Sequence, residues 1–374
     1  MGRNDCLEPR TDVPALEDWS TDMVLAQSAV GVRTSAGLAV ASLGVAVALL
    51  MLVPLDPGTV AAVVVLVLFG LLTALIPVTA RMETSARRRR LLDGPWQRCA
   101  AAIAVGEDGA LHDRLIVHRS AETLVLKGFL FPFPAVVAHR QEVFLCGPDD
   151  DGRALLRVAG MLRIVPAKLD PRPARARERE LLPLGRPLDD PGVARASRWF
   201  RWGTRLWLVP AVLGVCGAVL VTLALRPLAV PGLVVGGLLL IAAAYSVPIV
   251  VMFVRWFAEA LAGLCAAREW SPVPITMFPW EPGREVAGLA QLPWGTALVR
   301  FPYPQPDVVA NVSDSGMMWM AGDGIGAVAV GVPGVPVMTF CVVTPDLDTP
   351  VEAPQPWLLR SHDPVLDRIP SLRG

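Results

Sequence analysis

Four stretches of this chain carry no Asp, Glu, Lys, Arg or His: Thr34–Val53, Thr59–Ala80, Leu206–Leu225 and Pro227–Val254. A helix needs roughly 20 apolar residues to cross about 30 Å of hydrocarbon, and each run reaches that length. A buried helix of a soluble protein would keep a polar face over such a distance, and these runs show none. The expected fold class is therefore a multi-pass α-helical membrane protein with four transmembrane helices. Composition agrees: 53% of the residues are hydrophobic, 18% are charged and the mean hydropathy is +0.49.

The runs come in pairs. "PLDPG" joins the first two and "RPLAVPG" the last two, links short enough to force two helical hairpins. Basic residues gather at the opposite ends, at Arg33, Arg81, Arg87, Arg88, Arg89 and Arg90, then Arg195, Arg198, Arg201, Arg205 and Arg255. By the positive-inside rule those ends are cytoplasmic. Arg81, Arg87–Arg90, Arg201, Arg205 and Arg255 are thus assigned to topology and to lipid headgroups; a specific anionic-lipid site at "RMETSARRRR" is the competing reading. Trp199, Trp202, Trp207 and Trp256 stand where an interfacial aromatic belt would. An acidic start, without the short basic segment of a secretory signal, gives no expectation of one. The expected location is a bacterial cell membrane, with both termini cytoplasmic.

A repeat underlies the pairs. "RMETSARRRRLLDGPW" from Arg81 and "RWFAEALAGLCAAREW" from Arg255 both begin with Arg after an apolar run and end with Trp, at offsets 255 − 81 = 174 and 270 − 96 = 174. The Pro-Gly of each link obeys the same spacing, 231 − 57 = 174. "FPFPAVVA" from Phe131 resembles "FPYPQPDVVA" from Phe301, and "VFLCG" from Val143 resembles "MWMAG" from Met318. A tandem duplication of two spans plus a following segment is expected. Each copy holds an even number of spans, so both enter the membrane the same way up. Gly37, Gly44 and Ala48 then correspond to Ala211, Ala218 and Thr222, and the small faces of the first and third spans are expected to meet.

Outside the spans the pattern becomes short and alternating. "CAAAIAV", "RLIVHR", "TLVLKG", "EVFLCG", "ALLRVA" and "MLRIVP" read as strands of a small barrel or sandwich, interrupted by "GEDG" and "GPDDDG". "TALVRF", "MMWMAG", "AVAVGV" and "VMTFCV" read as strands of a second. The organisation is then an acidic N-terminal cytoplasmic segment (1–33), a first hairpin (34–80), a first mainly-β cytoplasmic domain (81–165) and a charged, Pro-rich linker (166–204). A second hairpin (205–254), a second mainly-β domain (255–345) and a Pro-rich tail (346–374) follow. Residues 1–13 are expected to be as loose as the tail, with a helix leading from Pro14 into the first span and a helical turn around Arg175–Leu182.

Chemistry is sparse. The chain contains no GxSxG, GxxxxGK[ST] or HExxH. His112 and His118, six residues apart on one strand, would stand roughly 20 Å from each other, too far to share a metal. "PDDDG" at 148–152 lacks the alternating acids of a calcium loop and reads as a hairpin turn. Six cysteines form no CxxC and indicate neither zinc nor disulfides. Phe131, Phe133, Phe301 and Tyr303 alternate with prolines and make a candidate peptide groove, or a structural pin. No catalytic residue, cofactor or metal is expected, and zero net charge argues against a nucleic-acid partner. These features suit a non-enzymatic integral membrane protein whose cytoplasmic β domains form a docking or assembly platform. Its partners would be the lipid bilayer and either a cytoplasmic protein or a second copy. An oligomeric channel or transport component is the alternative, although ionisable groups are missing from the spans. A membrane enzyme with an unrecognised site is a third reading.

Overall fold

The apolar runs fold as helices because nothing in them interrupts the backbone ladder or offers a polar face. In the computed structural model these are α1 (Trp19–Leu52), α2 (Pro57–Glu83), α5 (Leu208–Leu225) and α6 (Val230–Ala266). Shorter helices are α3 (Phe133–Arg140), α4 (Pro191–Gly203) and α7 (Pro306–Ser315). The structure describes residues 6–52, 57–83, 90–105, 114–120, 122–128, 133–172, 175–176, 185–205, 207–225, 230–280, 285–322 and 324–345. Three segments are long and apolar enough to cross a membrane: Val32–Met51, Pro191–Leu225 and Leu233–Ala266. In α2 the described apolar stretch is the shorter Val63–Ala74.

The chain divides into two units. One comprises 27–85 and 201–257 and is helical. Glycines bring its helices together: a Cβ on Gly217 would lie 2.9 Å from the Gly236 carbonyl oxygen, and one on Gly70 would strike Leu43. Helix α5 also packs on α2.

The other unit holds 1–26, 86–200 and 258–374. It contains two six-stranded β-barrels. The first is built from β1 (Gln97–Val105), β2 (Arg114–Arg119), β3 (Glu122–Gly128), β4 (Glu142–Cys146), β5 (Arg153–Arg157) and β6 (Val165–Leu169). Its ring runs β1-β2-β3-β6-β5-β4 and closes on β1. A two-residue strand, β7 (Arg175–Ala176), adds to β1, where a helical turn was expected; residues 177–184 lie outside the described ones. The second barrel uses β8 (Ser271–Met277), β9 (Val286–Leu292), β10 (Gly295–Phe301), β11 (Met317–Ala321), β12 (Gly326–Val332) and β13 (Val335–Thr344). Its order is β8-β9-β10-β13-β12-β11. In each ring a helix, α3 or α7, joins the third strand to the fourth, and it carries the "VVA" that the sequence comparison had aligned.

The registers coincide as well as the order. Gln97 faces Leu145 and Ser271 faces Met320, 174 and 175 residues on. Phe144 faces Arg157 and Trp319 faces Gly331, 175 and 174 on. Leu156–Val165 becomes Val330–Thr339, Leu126–Leu169 becomes Val299–Val343, and Leu115–Leu126 becomes Gly288–Val299. The last ladder agrees too, Ala101–Val117 becoming Ile275–Ala290. Register in a barrel is set residue by residue, because a slip of one turns every side chain to the other face.

One hydrophobic core serves both barrels. It runs from Leu115, Leu126, Leu145 and Val165 to Val299, Phe301, Val330 and Cys341, and also takes in Cys6, Leu7 and Met23. Each such residue contributes roughly 1.5–3 kcal/mol when fully buried. The first described residues are therefore part of the fold, where the sequence had suggested a loose terminus. Leu7 N–H donates to the Asn311 side-chain oxygen at 2.9 Å, and Gly160 N–H donates to the Leu7 carbonyl at 2.8 Å.

Candidate functional site

The two helical segments, 27–85 and 201–257, are entered in the same way. A turn of 3-10 helix, Ala15–Glu17 or Pro187–Asp189, ends at a buried aspartate, Asp18 or Asp190, which caps the next helix. Asp18 accepts from Thr21 N–H at 3.0 Å, and Asp190 accepts from Gly192 N–H at 2.7 Å. A carboxylate there satisfies orphan helix donors and meets the positive end of the dipole.

The two aspartates then differ. Asp18 pairs with Arg157, 3.0 Å away and fully buried on β5. The same Arg157 Nη1 also donates to the Ser20 and Thr21 hydroxyls and Nε donates to the Met161 carbonyl, while Nη2 is buried without a hydrogen-bond partner among the described residues; Trp96 donates to Thr21. Asp190 has no ion-pair partner among the described residues. At position 331, which corresponds to Arg157, stands Gly331, and the Trp270 ring occupies the space: a Cβ there would lie 2.6 Å from it. Burial pushes the Asp190 carboxyl above the usual aspartate range, against the Gly192 and Val193 N–H groups and the field of His139. A carboxyl raised in the fold costs stability when ionised, and that cost vanishes as pH falls below the unfolded value of about 3.8. Asp190→Asn keeps the cap's acceptor and removes the charge. We expect it to unfold at a higher temperature than the parent at pH 7, with the gap closing towards pH 4 in thermal melts.

Among the described residues the aromatic-proline stretches show no shared groove. Phe131 lies outside the described residues, and Phe133 opens α3. Phe301 is fully buried at the end of β10, whereas Tyr303 is exposed, its carbonyl accepting from Thr339. Among the arginines, Arg81 falls in the last turn of α2, Arg87–Arg89 lie outside the described residues, and Arg90, Arg201, Arg205 and Arg255 are exposed. The small residues of the first and third spans are not brought together within the chain. Gly37 and Gly44 have nothing within 4 Å of a Cβ position, and Ala48, Ala211, Ala218 and Thr222 are exposed. The Thr222 hydroxyl donates to Ala218 on its own helix. His112 lies outside the described residues; exposed His118 shares a hydrogen bond with Thr123. "PDDDG" forms the β4–β5 turn, with Asp149 accepting from Asp151 and Arg153 N–H. No group of three metal-ligating side chains occurs among the described residues.

Sequence reasoning missed a cleft of about 350 Å³ in the second barrel, lined by Val273, Gln291, Leu292, Pro293, Met320 and Gly324. Its cause is readable in "SPVPITM". The first barrel pairs Ala100 with His118, but the corresponding ladder in the second begins only at Ile275–Ala290. Pro272 and Pro274 cannot donate to a ladder, and they occupy the half of β8 that pairs with β11 alone. The strands part there and leave the cleft. Trp294, 42% exposed, follows its Pro293 wall, and Ile325, 63% exposed, follows Gly324. No titratable side chain is among its lining residues, which are mostly apolar. The chain matches no protein-family model, no curated protein and no solved structure.

Proposed function

We propose that this is a non-enzymatic membrane protein of four spans in two hairpins, arisen by tandem duplication, whose fused barrels form a cytoplasmic docking platform. Strand order and ladder registers that recur at offsets of 173 to 175 support the duplication. Four spans are supported by connectivity. The N-terminal arm and both barrels belong to one unit, so the excursions 27–85 and 201–257 must each return to the side they left. If they cross a membrane, each crosses an even number of times. The arginines at their ends favour the cytoplasm for that side.

The observation that carries the docking role is the apolar cleft, with exposed Trp294 and Ile325 next in sequence to its lining residues Pro293 and Gly324, on a module without a catalytic constellation among its described residues. Exposed apolar groups beside a concavity mark sites for protein partners. The double variant W294A/I325D alters only exposed side chains. It is expected to keep the parent's melting temperature within 1–2 °C, as surface substitutions do, and to abolish recovery of the parent's partner after mild detergent extraction. Undiminished recovery of the same partner would refute the platform reading.

Cysteine chemistry tests the orientation. Cys99, Cys146 and Cys341 are buried, and burial raises all three thiols, Cys146 to about 12. They should resist maleimide at neutral pH. Exposed Cys265, next to the last residue of α6, should react, but with an impermeant reagent only after the cells are opened. Labelling of Cys265 in intact cells would reverse the assigned orientation.

A further inference from the structure

Strand β13 leaves the second barrel at the end where the cleft lies. Its last residue, Thr344, pairs with Leu298 in β10, and β10 begins directly after Pro293 and Trp294. Val343 pairs with Gly326, which opens β12 directly after Gly324 and Ile325. The chain therefore emerges between the two turns that carry Pro293 and Gly324 of the cleft. Strands β9 and β11 supply Leu292 and Met320 to the cleft. Each stands two places round the ring from β13, about 10 Å at the usual strand spacing.

The segment that follows, 346–374, lies outside the described residues. Its sequence is polar and Pro-rich except at "PQPWLL", residues 354–359. Trp357 is the only Phe, Tyr or Trp after Phe340, and it heads Trp-Leu-Leu, the longest aliphatic-aromatic run after Pro345. From Pro345 to Trp357 is 357 − 345 = 12 residues, a reach of up to about 40 Å when extended. Pro350, Pro354 and Pro356 each remove backbone freedom that docking would otherwise cost. The first barrel shows that a chain leaving this strand position can return to its own ring. After β6, Arg175 and Ala176 add to β1 opposite Val105 and Ala104.

We propose that Trp357, with Leu358 and Leu359, seats in the cleft of its own chain and competes there with a protein partner. A mostly apolar lining suits an indole and two leucines, and the tether supplies an effective concentration on the order of millimolar. The competition rests on the docking reading; the seating rests on the cleft and the exit of β13 alone.

The full-length protein carrying Leu358→p-benzoylphenylalanine would be irradiated in mild detergent and its adducts mapped by mass spectrometry. An adduct within one chain, on Leu292 or Met320, is expected. Adding W357S should lower its yield about tenfold, the least that burying a large apolar side chain is worth. Both substitutions lie beyond the barrel, so its melting temperature should not move. No adduct on the second barrel would overturn the seating. So would an adduct that W357S leaves undiminished, because a tether without an anchor explains it. An adduct joining two chains would give the cleft to a second copy instead. W357S alone should raise recovery of the parent's partner, by about tenfold if the segment fills the cleft nine-tenths of the time. Unchanged recovery would overturn the competition. The two readings fail separately. Partner recovery undiminished by W294A/I325D sinks the docking reading and the competition, whereas a missing adduct sinks the seating whatever the partner does.

Discussion

Replacing Arg157 with methionine is expected to cost about 3–5 kcal/mol, the penalty for leaving a buried charge without its partner. The Asp18 carboxylate, buried with it, would keep the Thr21 N–H, the Ser20 and Thr21 hydroxyls and a long bond from the Arg10 N–H. A loss of that size is a large part of the total stability of most domains. In a denaturant titration of the detergent-solubilised chain, the midpoint should fall far below the parent's. The companion variant D18N/R157M separates the pair's own value from the penalty for breaking it. Asparagine keeps the cap and carries no charge, so the double variant should recover most of the loss. The second barrel gives the physical reason. It caps the equivalent helix with Asp190, has Gly331 in place of the arginine, fills the space with Trp270, and still closes. A double variant as unstable as R157M alone would show that the guanidinium's bonds to Ser20, Thr21 and Met161 matter more than its charge.

Legibility of this fold followed the period of the sequence. Charge-free runs announced helices because no competing pattern exists over 20 residues. "RLIVHR" and "TALVRF" announced strands β2 and β10. The first two strands of the second barrel escaped notice because Pro272 and Pro274 in β8, and Gly288 in β9, lower strand propensity; their neighbours in the ring override it. Pro272 lines the cleft, and Pro274 stands where the first barrel has one more ladder pair, Ala100–His118. "FPAVVAHR" reads as a short apolar segment and only becomes helix α3 where the third strand must cross to the fourth. Phe301 illustrates a related limit. An aromatic at the head of an aromatic-proline run is distinctive in sequence, yet the alternation of β10 turns it inward with Val299 and Ala297. Long-range pairs had no local signal at all. Nothing near Asp18 foretells a partner 139 residues away. Close packing of the long apolar helices occurs at Gly70, Gly217 and Gly236, which a count of small residues cannot distinguish from Gly37 and Gly44.

Asn311→Ala should loosen the N-terminal arm where it meets the two barrels, ahead of the barrels themselves. The side chain sits on α7 of the second barrel and is buried. Its oxygen accepts from Leu7 N–H at 2.9 Å, and its amide donates to the Gly160 carbonyl at 2.9 Å and to the Asp307 carbonyl. One amide thus links the arm, the β5–β6 turn of the first barrel and the helix of the second. Alanine leaves a buried donor at Leu7 and a buried acceptor at Gly160, each costing about 1–3 kcal/mol. Asn311→Asp keeps the acceptor for Leu7 but loses the donor to Gly160, and it places a second carboxylate one helical turn from Asp307, whose own carboxyl burial already raises. It should therefore be at least as damaging at neutral pH and recover partly in acid, as the two carboxyls take up protons. Hydrogen exchange provides the local readout. Leu7 and Gly160 N–H are the linked donors, and their exchange should quicken by tenfold or more in Asn311→Ala, before strands such as β12 lose protection. Uniform acceleration across both barrels would mean that the arm, the two barrels and their shared core unfold as one cooperative body, with Asn311 adding to its total stability instead of latching one segment.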